Sequence, residues 1–428
     1  MTTQPHHLPL SCFHFVERKG PGRPAIGDLT AAVKTQVSGL GVAAEKLRGK
    51  QIAVAVGSRG IASLQEMVRA VCGWLKAQGA VPFIIPAMGS HGGGTADGQR
   101  HILADYGITE AGLGAEVRSN IETVQVGTTP QGFPVFADRL AWESDGIVVV
   151  NRVKPHSDLS GNIESGLLKM MAIGLGKREG AGEGHKQIWK FGFEPTIRAV
   201  SAKILESGKI LFGVAVVENE LHAIADVRAA LPQDIVAVEE SAIALARDLM
   251  PRLPFSQLEL LIVDEMGKNI SGAGMDSKVI GRARGMAPGT GPKISLIYVR
   301  DLTAVSGGNA TGMGHADLIH ERMYRKIDLQ KTYANIRSSL NPAGGMMPMH
   351  VPSDRAALDF ALAHLGSPTP DEQRCVWIRN TLGLDRIAIS PALRAELTSP
   401  QNWRLAETPF AAEFDVAGDL ISPFAPHP

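Results

Sequence analysis

GIVVVNRVKPHSDLSGNIESGLLKMMAIGLGKREGAGEGHKQIW, residues Gly146 to Trp189, decides how the rest of the chain is read. Its first five residues are an unbroken apolar run, the pattern of a strand buried on both faces of a parallel sheet. The run turns at Lys154-Pro155-His156, because the residue before a proline is driven out of the helical region. Two histidines (His156, His185), four lysines (Lys154, Lys169, Lys177, Lys186) and many glycines follow. Glycine loses the most entropy on ordering, so this composition is costly for a mere connection. Loops after the carboxyl ends of parallel strands hold ligands in α/β proteins, and this one is expected to hold a cofactor.

Two earlier stretches repeat the arrangement. An apolar strand at 51–56 ends in Gly57-Ser58-Arg59-Gly60, and one at 81–85 ends in Gly89-Ser90-His91-Gly92. The helix between them, 61–78, carries Leu64, Met67, Val68, Val71 and Leu75 on one stripe. In a parallel sheet the three loops, centred on Arg59, His91 and His156, fall along one edge. Around them the pattern predicts irregular chain over 1–25, a helix capped by Asp28, and a helix over 95–106. A hairpin of 121–126 with 133–136, a helix over 195–206, a strand at 210–217, another near 221–225 and a helix over 233–249 follow.

Pro251 and Pro254 mark a boundary. Beyond it, strands at 258–263 and 294–299 begin a second unit, and the loop after the first carries Lys268 and Asn269. Helices over 316–333 and 354–365 and short strands at 376–379 and 387–389 complete it. The fold class is therefore α/β, two domains with mainly parallel sheets and an interdomain active-site cleft. Residues 1–250 are expected to bind cofactor and catalyse, 256–395 to close the cleft, and 396–428 to pack as a tail on one domain.

The bulk numbers narrow the function. With 428 residues the chain exceeds one ordinary core. Lys+Arg 43 against Asp+Glu 43 gives no net charge to attract nucleic acid or an anionic membrane. Three cysteines with no C-x-x-C argue for a reducing compartment and against a zinc ribbon or iron–sulfur site. No apolar run approaches the roughly 20 residues that span a bilayer. The amino end lacks a basic region followed by an apolar one, so the expected location is cytoplasmic; a homo-oligomer stays open.

His91 and His156 are of the type that moves protons near neutral pH, or they are ordinary loop histidines. Arg59 has the fork that grips a carboxylate. Lys169, taken alone, reads as a solvated helical lysine or a partner for Glu164. Gly174-Leu175-Gly176-Lys177 lacks the spacing of a phosphate P-loop and gives only a weak phosphate signal. His91, His156 and His185 suffice in number for zinc, but no H-E-x-x-H fixes a geometry. A serine hydrolase is disfavoured, since G-x-S-x-G is absent.

Together these residues resemble the nickel-dependent lactate racemase family, most strongly over 51–222. The resemblance implies a nickel-pincer nucleotide tethered to Lys169, its nickel also bound by His185, with Gly174 and Lys177 near the cofactor. It implies His91 and His156 as the two acid/base groups and Arg59 as the carboxylate grip. The second domain is expected to close over the cleft with Lys268 and Asn269 as candidate polar contacts to the acid, although its Gly267-Lys268-Asn269-Ile270-Ser271-Gly272 departs from the family's pattern there. One histidine then removes the hydroxyl proton while the α-hydrogen leaves as hydride, and return on the other face inverts C2. Maturation enzymes that build the cofactor are implied partners; without them the protein is expected empty. Val56 stands where the family's racemases usually carry aspartate, and Ser165-Gly166-Leu167-Leu168-Lys169 replaces Gly-Gly-x-Lys. These departures point to a 2-hydroxy acid other than lactate. A cofactor-independent enzyme, such as a lyase on a sugar acid, and a non-catalytic carboxylate-binding protein are the alternatives.

Overall fold

Strand β1 (His14–Arg18) pairs antiparallel with residues 386–389 and 403–405, near the other end of the chain. The computed structural model describes residues 7–57, 60–156, 161–282, 291–339, 341–397 and 400–424. It divides into two compact units, one of residues 22–250 and one of 1–21 with 251–428. Residues 7–21 therefore lie with the later unit, not with the domain to which the sequence reading gave them. Phe13 and Val16, both fully buried, are apolar anchors too short in pattern to read as a strand.

In the 22–250 unit, β2 (Gln51–Val56), β3 (Val81–Pro86), the hairpin of β4 (Thr123–Thr128) and β5 (Pro134–Asp138), β6 (Gly146–Arg152), β7 (Ile210–Glu218) and β8 (Ile224–Ala230) follow in turn. The main sheet has the order β3-β2-β6-β7-β8. Its first four strands are parallel and β8 returns antiparallel. Alternate residues feed two cores: Ala53, Ala55, Ile147 and Val149 on one face, Ile52, Val54, Val148 and Val150 on the other. Burial on both faces is why these strands read as continuous apolar runs. The helix Leu64–Ala77 buries Leu64, Met67, Val68, Val71 and Leu75. Because β3, β2 and β6 are neighbours, the chain leaving each emerges at the same sheet edge. Arg59 itself lies outside the described residues.

The other unit adds β9 (Gln257–Val263), β10 (Lys293–Val299), β11 (Leu318–His320), β12 (Met349–Val351), β13 (Cys375–Ile378), β14 (Arg386–Ile389) and β15 (Trp403–Leu405). The order is β12-β11-β10-β9-β13-β14-β1-β15. Strands β12 to β13 run parallel, and antiparallel pairing begins at β14. The helix expected over 316–333 is broken. Leu318, Ile319 and His320 are buried as a strand, and helices Glu321–Lys326 and Leu329–Ser339 follow. His320 starts the first of these by accepting from the Arg322 amide at 2.9 Å. In the tail, β15 joins the sheet and Leu420 enters the core beside Phe13 and Tyr298. Among the described residues no helix is long and apolar enough to cross a membrane.

Candidate active site

The His91 loop is built from its glycines and one buried amide. Gly89 takes φ +58, and its N–H donates to the Gly174 carbonyl at 3.2 Å. Thr95 caps the helix Ala96–Asp105 by accepting from the Gly98 amide. From that helix Gln99, wholly buried, donates Nε2 to the Gly89 carbonyl at 2.8 Å and the His91 carbonyl at 3.3 Å. Its Oε1 accepts from Lys177 Nζ at 3.2 Å.

Lys177 is buried too. Nζ also donates to the Pro86 carbonyl at 2.5 Å and pairs with Asp138 Oδ2 at 2.9 Å. Burial pushes its pKa down, against the pull of Asp138. The amine expected near a phosphate thus bolts the end of β3 and the helix of Gln99 to the hairpin. Gly174 also serves packing, since a Cβ there would lie 2.6 Å from the Ala87 carbonyl oxygen.

Lys169 ends a three-residue helix, Leu167–Lys169, which runs into a π turn, Met170–Gly174. Such turns recur at functional sites. The helix Lys177–Phe191 follows, carrying His185 at the margin of its buried stripe of Ala181, Gly184 and Ile188. Lys169 is half-buried, with Nζ 5.8 Å from the centroid of the buried Phe193 ring. The His156 ring lies 6.3 Å from that same ring, tilted by 34°. Phe193 thus gathers Lys169 and His156, which are 13 positions apart in sequence.

The backbone of His156 is held from below. Its N–H donates to Glu164 Oε2 at 2.5 Å, and Glu164, almost fully buried, meets Arg247 at 2.7 Å. Asn151 Nδ2 donates to the Gly166 carbonyl at 2.9 Å, and Lys154 bridges to Ser165.

Lys268 and Asn269 belong to the other unit. Lys268 Nζ donates to the Gly272 carbonyl at 2.5 Å in its own loop, and Asn269 Oδ1 accepts from Thr303 at 2.7 Å. Also there, His320, Asp354 and Asp419 bring three donor atoms within 4.8 Å of one another. Arg300 and Arg322 already engage Asp354, so this is a charge network with two resident cations, ill suited to a metal.

Residues 44–190 match the family model described as the lactate racemase N-terminal domain. Over that segment the chain resembles the lactate racemase family. The matched segment spans β2 to β6 and the whole Lys169–His185 stretch. No functionally curated protein matches. Among solved structures, the lactate racemase apoprotein from Thermoanaerobacterium thermosaccharolyticum is similar over 84% of this chain and 93% of its own. The identity is 13% and the TM-score 0.48.

Gln99, Asp138, Glu164 and Phe193 support the candidate groups here, and sequence reading singled out none of them for a site. Glu164 carried one signal, a lone carboxylate in an apolar glycine-rich stretch. The others lie outside the stretch from Gly146 to Trp189 and had none.

Proposed function

We propose that this protein inverts C2 of a 2-hydroxy acid, using a nickel-pincer nucleotide tethered at Lys169. The observation that carries the reading is the flanking of the Phe193 ring by the Lys169 amine and the His156 imidazole, both of which belong to the segment that matches the lactate racemase N-terminal domain. The donor chemistry fits the group. An amine serves the covalent attachment, and the imidazole of His185 suits nickel. Burial pushes the thiols of Cys72 and Cys375 up to about 12, so neither competes as a thiolate ligand.

The bound cofactor would supply the hydride acceptor. His91 and His156 hold and return the hydroxyl proton, two bases being required because the enantiomers present that hydroxyl differently. Arg59 grips the carboxylate. Phe193 and Met170, both buried, supply apolar side chains next to Lys169 of the kind that would keep water from the transferred hydrogen. Gly174 and Lys177 support this site through the His91 loop.

The test is protein produced together with cofactor-building enzymes, examined by intact mass, nickel content and chiral chromatography against a panel of 2-hydroxy acids. The reading expects an adduct on Lys169, stoichiometric nickel, and inversion of one acid with no solvent deuterium at C2. A clean apo mass with no nickel overturns it and favours a cofactor-independent enzyme or a binding protein.

A further inference from the structure

We infer that Glu239, far away in sequence, is the positioning residue for Lys169; the inference rests on the tethering role just proposed. Glu239 lies on the helix Ile235–Asp248 with no solvent exposure, in a core that includes Leu167, Ala242 and Ile243. An alanine or methionine would fill that space without burying an ionisable group. What the carboxylate does there is accept. Leu168 N donates to Oε2 at 2.8 Å, and the neighbouring Leu167 amide also favours the charged carboxylate.

These are the first amides of the three-residue helix that ends in Lys169. The leading amides of any helix have no partner within it, and so short a helix has little stability of its own. A cap from elsewhere must set where it starts. The approach is close enough to dictate position 166: a Cβ on Gly166 would lie 2.5 Å from Glu239 Cδ. From the other side Asn151 Nδ2 holds the Gly166 carbonyl at 2.9 Å. The turn before Lys169 is thus pinned by one donor and one acceptor. Among the described residues Glu239 Oε1 has no hydrogen-bond partner. The side chain is therefore held where packing alone would not favour it, and its hydrogen bond goes to this turn.

The test compares Glu239→Gln, Glu239→Asp and Glu239→Ala in apo protein. It reads amide hydrogen exchange over residues 163–172 and the acylation rate of Lys169 relative to the exposed Lys46. The glutamine keeps an acceptor and should match the native protein. The aspartate, one methylene short, and the alanine should speed exchange at residues 167–169 by about fivefold, the size of a lost cap. Both should change the Lys169:Lys46 labelling ratio while strands β2 and β7 keep native exchange. Unchanged exchange and labelling in both shortened variants would overturn the inference, as would acceleration spread evenly over the unit. If the alanine variant does not fold, the aspartate variant decides. Native protein that takes no adduct during co-production defeats the proposed function, while the apo measurements still judge Glu239 separately.

Discussion

Lys177 Nζ lies 2.9 Å from Asp138 Oδ2, and neither side chain reaches solvent. This pair turns a residue at the amino end of the His185 helix into an anchor for the hairpin, while Gln99 extends the same contact to the His91 loop. Position within the site and stability of the unit are therefore coupled. Lys177→Met should leave Asp138 buried without its cation and cost about 3–5 kcal/mol. Urea unfolding of the single variants and of Lys177→Met with Asp138→Leu checks this. The double variant should recover much of the loss, because breaking a buried pair costs more than replacing it.

Glu164 presents a different balance. Its carboxylate accepts from the His156 amide and meets Arg247, whose side chain is partly exposed, so the ion pair is screened. Glu164→Gln retains the acceptor and should alter stability little. Glu164→Ala frees the His156 backbone, and a small displacement of a proton-transferring group costs about a hundredfold in rate. In cofactor-loaded protein the loss should fall on kcat rather than KM, with the glutamine variant close to native.

Burial pushes the Glu239 carboxyl up to about 7, despite the amides of Leu168 and Leu167 that favour its charged form. In the unfolded chain the group titrates near 4.3. Between those values the folded protein binds the extra proton, so this group's contribution to stability declines as pH rises from about 4.3 to about 7. Glu239→Gln should remove that slope. Unfolding free energies of the two proteins across this window should converge at the acid end and diverge towards neutrality, with the variant the more stable. Parallel curves would exclude the titration.

The parallel sheet of the 22–250 unit was legible because both faces of β2, β3 and β6 are buried and their sequences show it as unbroken apolar runs. The shared edge of the His91 and His156 loops followed from strand adjacency alone. Lys177 was read as a ligand contact because sequence shows a lysine beside glycines; it does not show Asp138, 39 positions earlier, closing on it. The 316–333 segment read as one helix because Leu318-Ile319-His320 is too short for its period to distinguish strand from helix. Pairing with β10 and β12 decides that, and it is tertiary. β1 was missed for the same reason: its partners are more than 350 positions away.

Asp354 gives the opposite pH slope in the other unit. Burial raises its pKa, but hydrogen bonds and charge from Arg300, with help from Tyr298 and Arg322, outweigh this and hold the carboxyl below its ordinary range. Tyr298 donates at 2.5 Å and Arg300 Nη2 at 2.8 Å. A depressed folded-state pKa means the stabilisation is complete above the unfolded value of about 3.9 and is lost as pH falls through the folded one. Asp354→Asn should therefore destabilise the protein at pH 7 and make it less sensitive to acid below about pH 4. Arg300→Met should be more damaging at pH 7, since it strips Asp354 of its strongest partner and leaves a buried carboxylate with Tyr298 and Arg322. Circular dichroism melts of the three proteins between pH 3 and pH 7 measure this. An asparagine variant that loses stability in acid as steeply as the native protein would show that Asp354 does not carry the transition.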